Sequence, residues 1–106
     1  EKNLNHLIIT KKPYLNTSLT IFDLAKDLDT NYKYVSQVIN NEFNMNFASY
    51  INSYRINDAK HMLKDPKTSH FKIEAIAEMC GFKSKSAFNT AFKKIVDLTP
   101  SEYRDS

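Results

Sequence analysis

The chain has 106 residues, 42% hydrophobic and 25% charged, with a formal net charge of +3. That length suits one ordinary domain or two very small ones, and the charge is enough to approach a polyanion without establishing one as the partner. One Gly and three Pro speak against many-stranded β architecture, no 18-residue apolar run could span a membrane, and the lone Cys80 excludes an internal disulfide.

A single thiol fits a reducing compartment, so a soluble cytoplasmic protein is expected. The start at Glu1 rather than Met reads as a piece of a larger protein. Leu4, Leu7 and Ile8 predict a short amphipathic helix, stopped by Pro13, with Tyr14 and Leu15 in an extended turn. Thr20 is a predicted N-cap with Asp23 as its capping partner, opening a helix that carries Ile21, Leu24, Ala25 and Leu28 on one face. After Asp29-Thr30-Asn31 a second helix is predicted from about Asn31 to Glu42, with Val35, Val38 and Ile39 as its apolar stripe. Asn46 caps a long helix predicted over Phe47 to Lys64, about 27 Å at ~1.5 Å per residue, and Asp65-Pro66 stops it.

Beyond a loop at Lys67 to Phe71, Ile73, Ile76, Ala77 and Cys80 predict a further helix, with Gly81 placed for a left-handed C-cap. Ser84 caps the next, whose stripe is Phe88, Ala91, Phe92 and Ile95. Thr99-Pro100-Ser101-Glu102 joins an N-cap, a Pro in the first turn and a capping Glu, the signature of a last short helix.

The chain repeats itself. Ile21, Leu24, Ala25 and Leu28 recur as Ile73, Ile76, Ala77 and Cys80 at an offset of 52. Val35, Val38, Ile39 and Glu42 recur as Phe88, Ala91, Phe92 and Ile95 at an offset of 53, so the second copy carries one extra residue in its turn. Helix, short turn and second helix, found twice, is the helix-turn-helix pattern, which presents the outer face of its second helix to the DNA major groove. At about 100° per residue, Lys33, Gln37 and Asn40 lie opposite Val35, and Ser86, Thr90 and Lys93 lie opposite Phe88. All six are polar and none is acidic; Lys suits guanine, Gln suits adenine, and Ser or Thr suits several base edges. Ala87 on the flank is small enough to meet a thymine methyl. The units differ in charge. Lys83 to Lys94 holds four Lys and no acid, whereas Thr30 to Asn41 holds only Lys33, with Asp27 and Asp29 just before it.

These residues resemble the C-terminal DNA-binding domain of the AraC/XylS family of bacterial transcription regulators. The most specific parts are I-A-E-M-C-G-F at Ile76–Phe82, F-x-x-A-F-K-K at Phe88–Lys94 and T-P-S-E-Y-R at Thr99–Arg104. In the first half Tyr14–Leu15, Leu19–Ala25 and S-Y-I-N-S-Y-R-I at Ser49–Ile56 agree too. The resemblance implies an all-α fold of about seven helices: a first helix-turn-helix subdomain at 1–46, a linker helix at 47–65 and a second subdomain at 66–106. It implies sequence-specific binding of double-stranded DNA, one reading helix per unit in successive major grooves. Base contacts carry over to Lys33, Ser36 and Gln37 in the first unit and to Lys85, Ser86 and Thr90 in the second. Backbone contacts fall on Asn31, Tyr32, Asn40, Lys83, Ser84, Asn89 and Lys93. A sensor, receiver or dimerisation domain N-terminal to this segment is implied, RNA polymerase is a candidate second partner, and the fragment alone is expected to be a monomer.

Three glycines usual in the family are replaced by Asp29, Asn44 and Asp97, residue types that tolerate left-handed backbone. The reading faces also lack Arg. The plainer readings are as follows. Val35, Val38, Phe88 and Phe92 are core, Cys80 is an inert buried thiol, and Lys60 with His61 is solvated helix surface. Arg55 binds a phosphate or a carboxylate inside the domain, with the structural role favoured. His6, His61 and His70 lack metal-ligand spacing, and no nucleophile–base set, carboxylate pair or cofactor loop occurs, so no enzyme, metal or cofactor is expected. The rival reading is a tandem helix-turn-helix module that binds protein, supported by the acidic run before the second helix.

Overall fold

In a computed structural model of the chain, which describes residues 2–106, seven α-helices and one short 3-10 turn follow one another without a strand among the described residues. They are α1 (Lys2–Lys11), the 3-10 turn Pro13–Leu15, α2 (Ile21–Asp27), α3 (Tyr32–Phe43), α4 (Phe47–Lys64), α5 (Ile73–Met79), α6 (Lys85–Val96) and α7 (Pro100–Asp105). The fold is all-α, as expected. Residue 1, where the expected first subdomain begins, lies outside the described residues.

Side-chain caps set most helix starts, because the first amides of a helix have no partner within it. Thr20 Oγ1 accepts from the Asp23 amide at 3.2 Å while Asp23 accepts from the Thr20 amide at 2.9 Å. Thr99 and Glu102 form the same reciprocal box at 3.1 and 2.8 Å. Asn31, Asn46 and Ser84 each accept from the amide three residues on. From α2 onward the one α-helix that departs is α5: Lys72 gives no side-chain cap, and Glu74 in its first turn answers the helix dipole instead.

Two separate cores form. Leu4, Ile8, Tyr14, Leu24, Ala25, Val35 and Ile39 gather around Tyr50 and Ile51 of α4. Ile76, Ala77, Cys80, Phe82, Phe88, Ala91 and Phe92 gather around Ile56, Ala59 and Leu63 of the same helix. Thus α4 is buried by one unit along its first half and by the other along its second, which makes it a shared wall as well as a spacer.

The reading of Tyr14–Leu15 as an extended turn is corrected. Lys12 turns left-handed at φ 48° and a 3-10 turn follows over Pro13–Leu15. The cause is tertiary: Tyr14 is buried, stacks on Tyr54 at 5.5 Å and donates its hydroxyl to Asp58 at 2.9 Å. Ile95 also leaves the expected apolar stripe, being 46% exposed. Lys60 is half-buried rather than solvated, with Nζ 5.9 Å from the Tyr103 ring. Arg55 takes the structural role, with backbone carbonyls rather than a carboxylate as its partners within the domain. Its Nε donates to the Tyr14 carbonyl at 2.6 Å and its Nη2 to the Asn16 carbonyl at 2.9 Å.

Asp29, Asn44 and Asp97 do adopt left-handed backbone, at φ 55°, 55° and 68°, and Gly81 does so at φ 99°. The repeat explains why only one of the two matched turns needs glycine. Thr30 N–H bonds the Ala25 carbonyl and Phe82 N–H bonds the Ala77 carbonyl, so the turns coincide through Thr30 and Phe82. With Asn31 and Ser84 both capping, the extra residue of the second copy is Lys83. Around Asp29 the backbone is exposed; a Cβ on Gly81 would collide with the Tyr14 carbonyl and lie 2.8 Å from Arg55 Nε. Gly81→Ala is therefore expected to cost ~2–4 kcal/mol, from the left-handed backbone plus displacement of the 3-10 turn. Asp29→Gly should change stability by less than ~1 kcal/mol. Urea denaturation midpoints of the two variants measure the contrast.

Candidate nucleic-acid interface

In each unit the first helix packs across the second, α2 on α3 and α5 on α6. The small residues Ala25 and Ala77, both buried, stand at the repeat-matched positions of the two first helices. This packing fixes which face of α3 and α6 is left open. On α3, Val35 and Ile39 are buried, and Lys33, Ser36, Gln37 and Asn40 are exposed. On α6, Phe88, Ala91 and Phe92 are buried, and Lys85, Ser86, Thr90 and Lys93 are exposed. The matched triads Lys33–Gln37–Asn40 and Ser86–Thr90–Lys93 thus lie on the open faces that helical periodicity predicts. Asn89 is half-buried, the one candidate partly withdrawn from the surface.

The two turns place donors at the start of α3 and of α6. Asn31 and Ser84 occupy matched N-cap positions, each accepting one helix amide through its side-chain oxygen. That leaves the Asn31 amide N–H and the Ser84 hydroxyl hydrogen as donors beside the positive end of a 12-residue helix, chemistry suited to a phosphate. Tyr32 and Lys83 flank these caps and are exposed.

Three features go beyond what the sequence reading offered. Lys93 Nζ donates to the Asp97 carbonyl at 3.3 Å, so it also closes the C-terminus of its own helix. Glu74 and Glu78 line one cleft of about 430 Å³ together with Lys83, Ser84 and Lys85, which moderates a segment that looks free of acid in sequence. In the first unit Phe22 and Tyr32 expose paired rings 4.9 Å apart, with Tyr34 also exposed. Tyr32 stands where the second unit has Lys85, so that position contributes apolar surface in one unit and charge in the other.

Among the described residues no group of His, Cys, Asp and Glu is arranged to hold a metal ion, and no helix is long and apolar enough to cross a membrane. Cys80 is buried beside Met62 Sδ at 3.7 Å, and burial pushes its thiol up to about 12.

A family model described as a helix-turn-helix domain matches residues 24–106, which takes in α3 to α7 and both open faces. The chain belongs to the AraC-type helix-turn-helix family. It is an AraC-type DNA-binding domain of transcription regulators. It is 30% identical over 96% of its length to an uncharacterised helix-turn-helix-type transcriptional regulator, YtdP, of Bacillus subtilis, and it covers 12% of that protein. It is 27% identical over 94% of its length to the transcriptional regulatory protein HptR of Staphylococcus aureus, covering 38% of it. Among solved structures, the C-terminal domain of the two-component response regulator yesN from Fusobacterium nucleatum superposes with a TM-score of 0.82 at 30% identity, covering 97% of this chain and 95% of that one. The DNA-binding domain of AdpA, solved with a target DNA, shares the fold at a TM-score of 0.81 and 19% identity, covering 96% and 89%.

Two outcomes are expected. Lys93→Ala should weaken binding to all duplexes and lower the slope of log affinity against log salt by about 1; an unchanged slope would leave Lys93 with its helix-closing role alone. The Cys80 thiol, raised in the folded state above its ordinary value of 9.0, favours folding below about pH 9, and this contribution fades as pH rises towards 12. Native protein at pH 8 should therefore resist a thiol-specific disulfide reagent that reacts at once in urea. Rapid reaction of the native chain would contradict the burial.

Proposed function

We propose that this domain reads a bipartite operator on double-stranded DNA, with α3 and α6 in successive major grooves on one face of the duplex. Lys33, Ser36 and Gln37 contact bases from the first unit, and Lys85, Ser86 and Thr90 from the second. Asn31, Tyr32, Asn40, Lys83, Ser84, Asn89 and Lys93 hold the phosphate backbone. The observation that carries this reading is the repeat of open polar faces on two matched helices, which share one wall in α4. A molecule 42 Å long can span the roughly 34–36 Å of one helical turn.

The segments 1–46 and 66–106 act in this proposal as two reading units, joined through 47–65. Because the chain covers only 12% and 38% of its longer relatives, the proposal includes a further sensor, receiver or dimerisation domain in the same protein. It also places the protein in the cytoplasm, with its output directed to RNA polymerase at a promoter.

Selection of bound sites from a random duplex library tests the reading. The expected product is two conserved blocks about one turn apart, and Gln37→Ala should relax preference at one position of one block, where a good bidentate contact contributes ~1–3 kcal/mol. Enrichment of no sequence at low salt by a folded chain would favour the protein-binding module instead.

A further inference from the structure

The two cores share no residue, yet the units do not meet through α4 alone. The handover along α4 falls between Ile51, buried in the first core, and Ile56, buried in the second, and Arg55 sits at that point. Its guanidinium forks onto two carbonyls of the first unit, Tyr14 at 2.6 Å and Asn16 at 2.9 Å. The same group lies over the Phe82 ring at 5.7 Å, and Phe82 packs on Phe88 of α6 at 5.2 Å. Gly81, beside Phe82, is pressed so close to the Tyr14 carbonyl and Arg55 Nε that it has no room for a side chain. Tyr14 is further tied to α4 through Asp58 at 2.9 Å. One planar cation therefore connects the backbone of the first unit to the residues that seat the second reading helix.

We infer that Arg55 is a positioning residue for DNA recognition: with Tyr14 and Gly81 it sets the relative orientation of α3 and α6, and so the spacing of the two half-sites the domain accepts. The inference rests on the two-unit reading proposed above. An 18-residue helix bends and twists under thermal motion, and the units it carries have independent cores, so a lock at the handover point decides how sharply one spacing is preferred. Arg suits this place because a rigid fork holds two carbonyls at once while its face stacks on an aromatic ring. A Lys ammonium is a point charge and cannot reproduce that geometry.

The test uses the 106-residue chain, its selected operator, and versions with one to five base pairs inserted between or removed from the two blocks, together with each block alone. Wild type is expected to lose at least tenfold in affinity for each one-pair change near the optimum. Arg55→Ala should bind the single blocks within about twofold of wild type, bind the selected operator about tenfold more weakly, and lose most of the discrimination between spacings. Arg55→Lys should fall on the same side. A second readout needs no DNA. Paired spin labels on cysteines introduced at Asn41 and Lys94, with the buried Cys80 left unlabelled, should give a narrow distance distribution that broadens in both variants.

A variant that keeps both the spacing penalty and the narrow distribution overturns the inference. So does uniform loss of affinity for single blocks and all spacings, or unfolding of both variants, since each means that Arg55 merely supports the fold. A wild-type chain that binds single blocks but ignores their spacing overturns the inference and spares DNA reading by each unit. A wild-type chain that binds no duplex, yet shows the narrow distribution lost in the variants, defeats the operator reading; the clamp then orders the units for another partner.

Discussion

The contact between Arg55 and the carbonyls of Tyr14 and Asn16 is the constraint on which the architecture turns. Together with the close approach of Gly81 to Tyr14, it joins two small helical cores that share no residue and otherwise meet along one helix. Small cores are marginal because little of their surface is buried on folding. Here each gains from the other by borrowing half of α4 and by closing over the same arginine. The cost of withdrawing a guanidinium from water is met by charge-assisted bonds to backbone oxygens, which would otherwise need partners of their own.

At the far end α7 is fastened by the same chemistry. Arg104 donates to the Ser69 and Phe71 carbonyls at 3.1 and 2.8 Å, and the Tyr103 ring meets Phe92 at 5.6 Å and Lys64 Nζ at 5.0 Å. The T-P-S-E-Y-R segment, among the most recognisable stretches of the sequence, therefore serves the scaffold: its first half caps, its second half docks. The residues proposed to face DNA lie on exposed helix faces, and those of them that are bonded, Asn31, Ser84 and Lys93, bond to the ends of their own helices. Those faces are positioned by the cores behind them.

Much of this organisation was legible beforehand because it is local. Caps at Thr20, Asn46, Ser84 and Thr99, and the span of α4, follow from spacing and side-chain chemistry within four residues, whereas Asn31, expected as the first residue of its helix, is its cap. The open faces of α3 and α6 followed from periodicity alone. What could not be read was long-range. The 3-10 turn at Pro13–Leu15 exists because Tyr14 reaches Asp58, 44 residues away. The partners of Arg55 are carbonyls about 40 residues back, and backbone oxygens leave no trace in a sequence. The proximity of Glu74 and Glu78 to Lys83 and Lys85 depends on how α5 crosses α6. Extrapolating the apolar stripe to Ile95 failed because the last turn of α6 brings Val96, one turn beyond Phe92, against the core and leaves Ile95 facing out.

The left-handed turns have a consequence for how such a domain diversifies. At Gly81 a neighbouring backbone has sealed the position, so the residue there answers to packing alone. At Asp29, two residues before the cap of α3, the same backbone shape is exposed and carries a charged side chain. Exchange among Gly, Asn and Asp at that site alters the local field while the fold stays as it is. The first unit thus has a turn whose charge can change without disturbing its packing, whereas the turn of the second unit is closed against Tyr14. Local charge therefore has more room to vary at the turn of the first half than at that of the second.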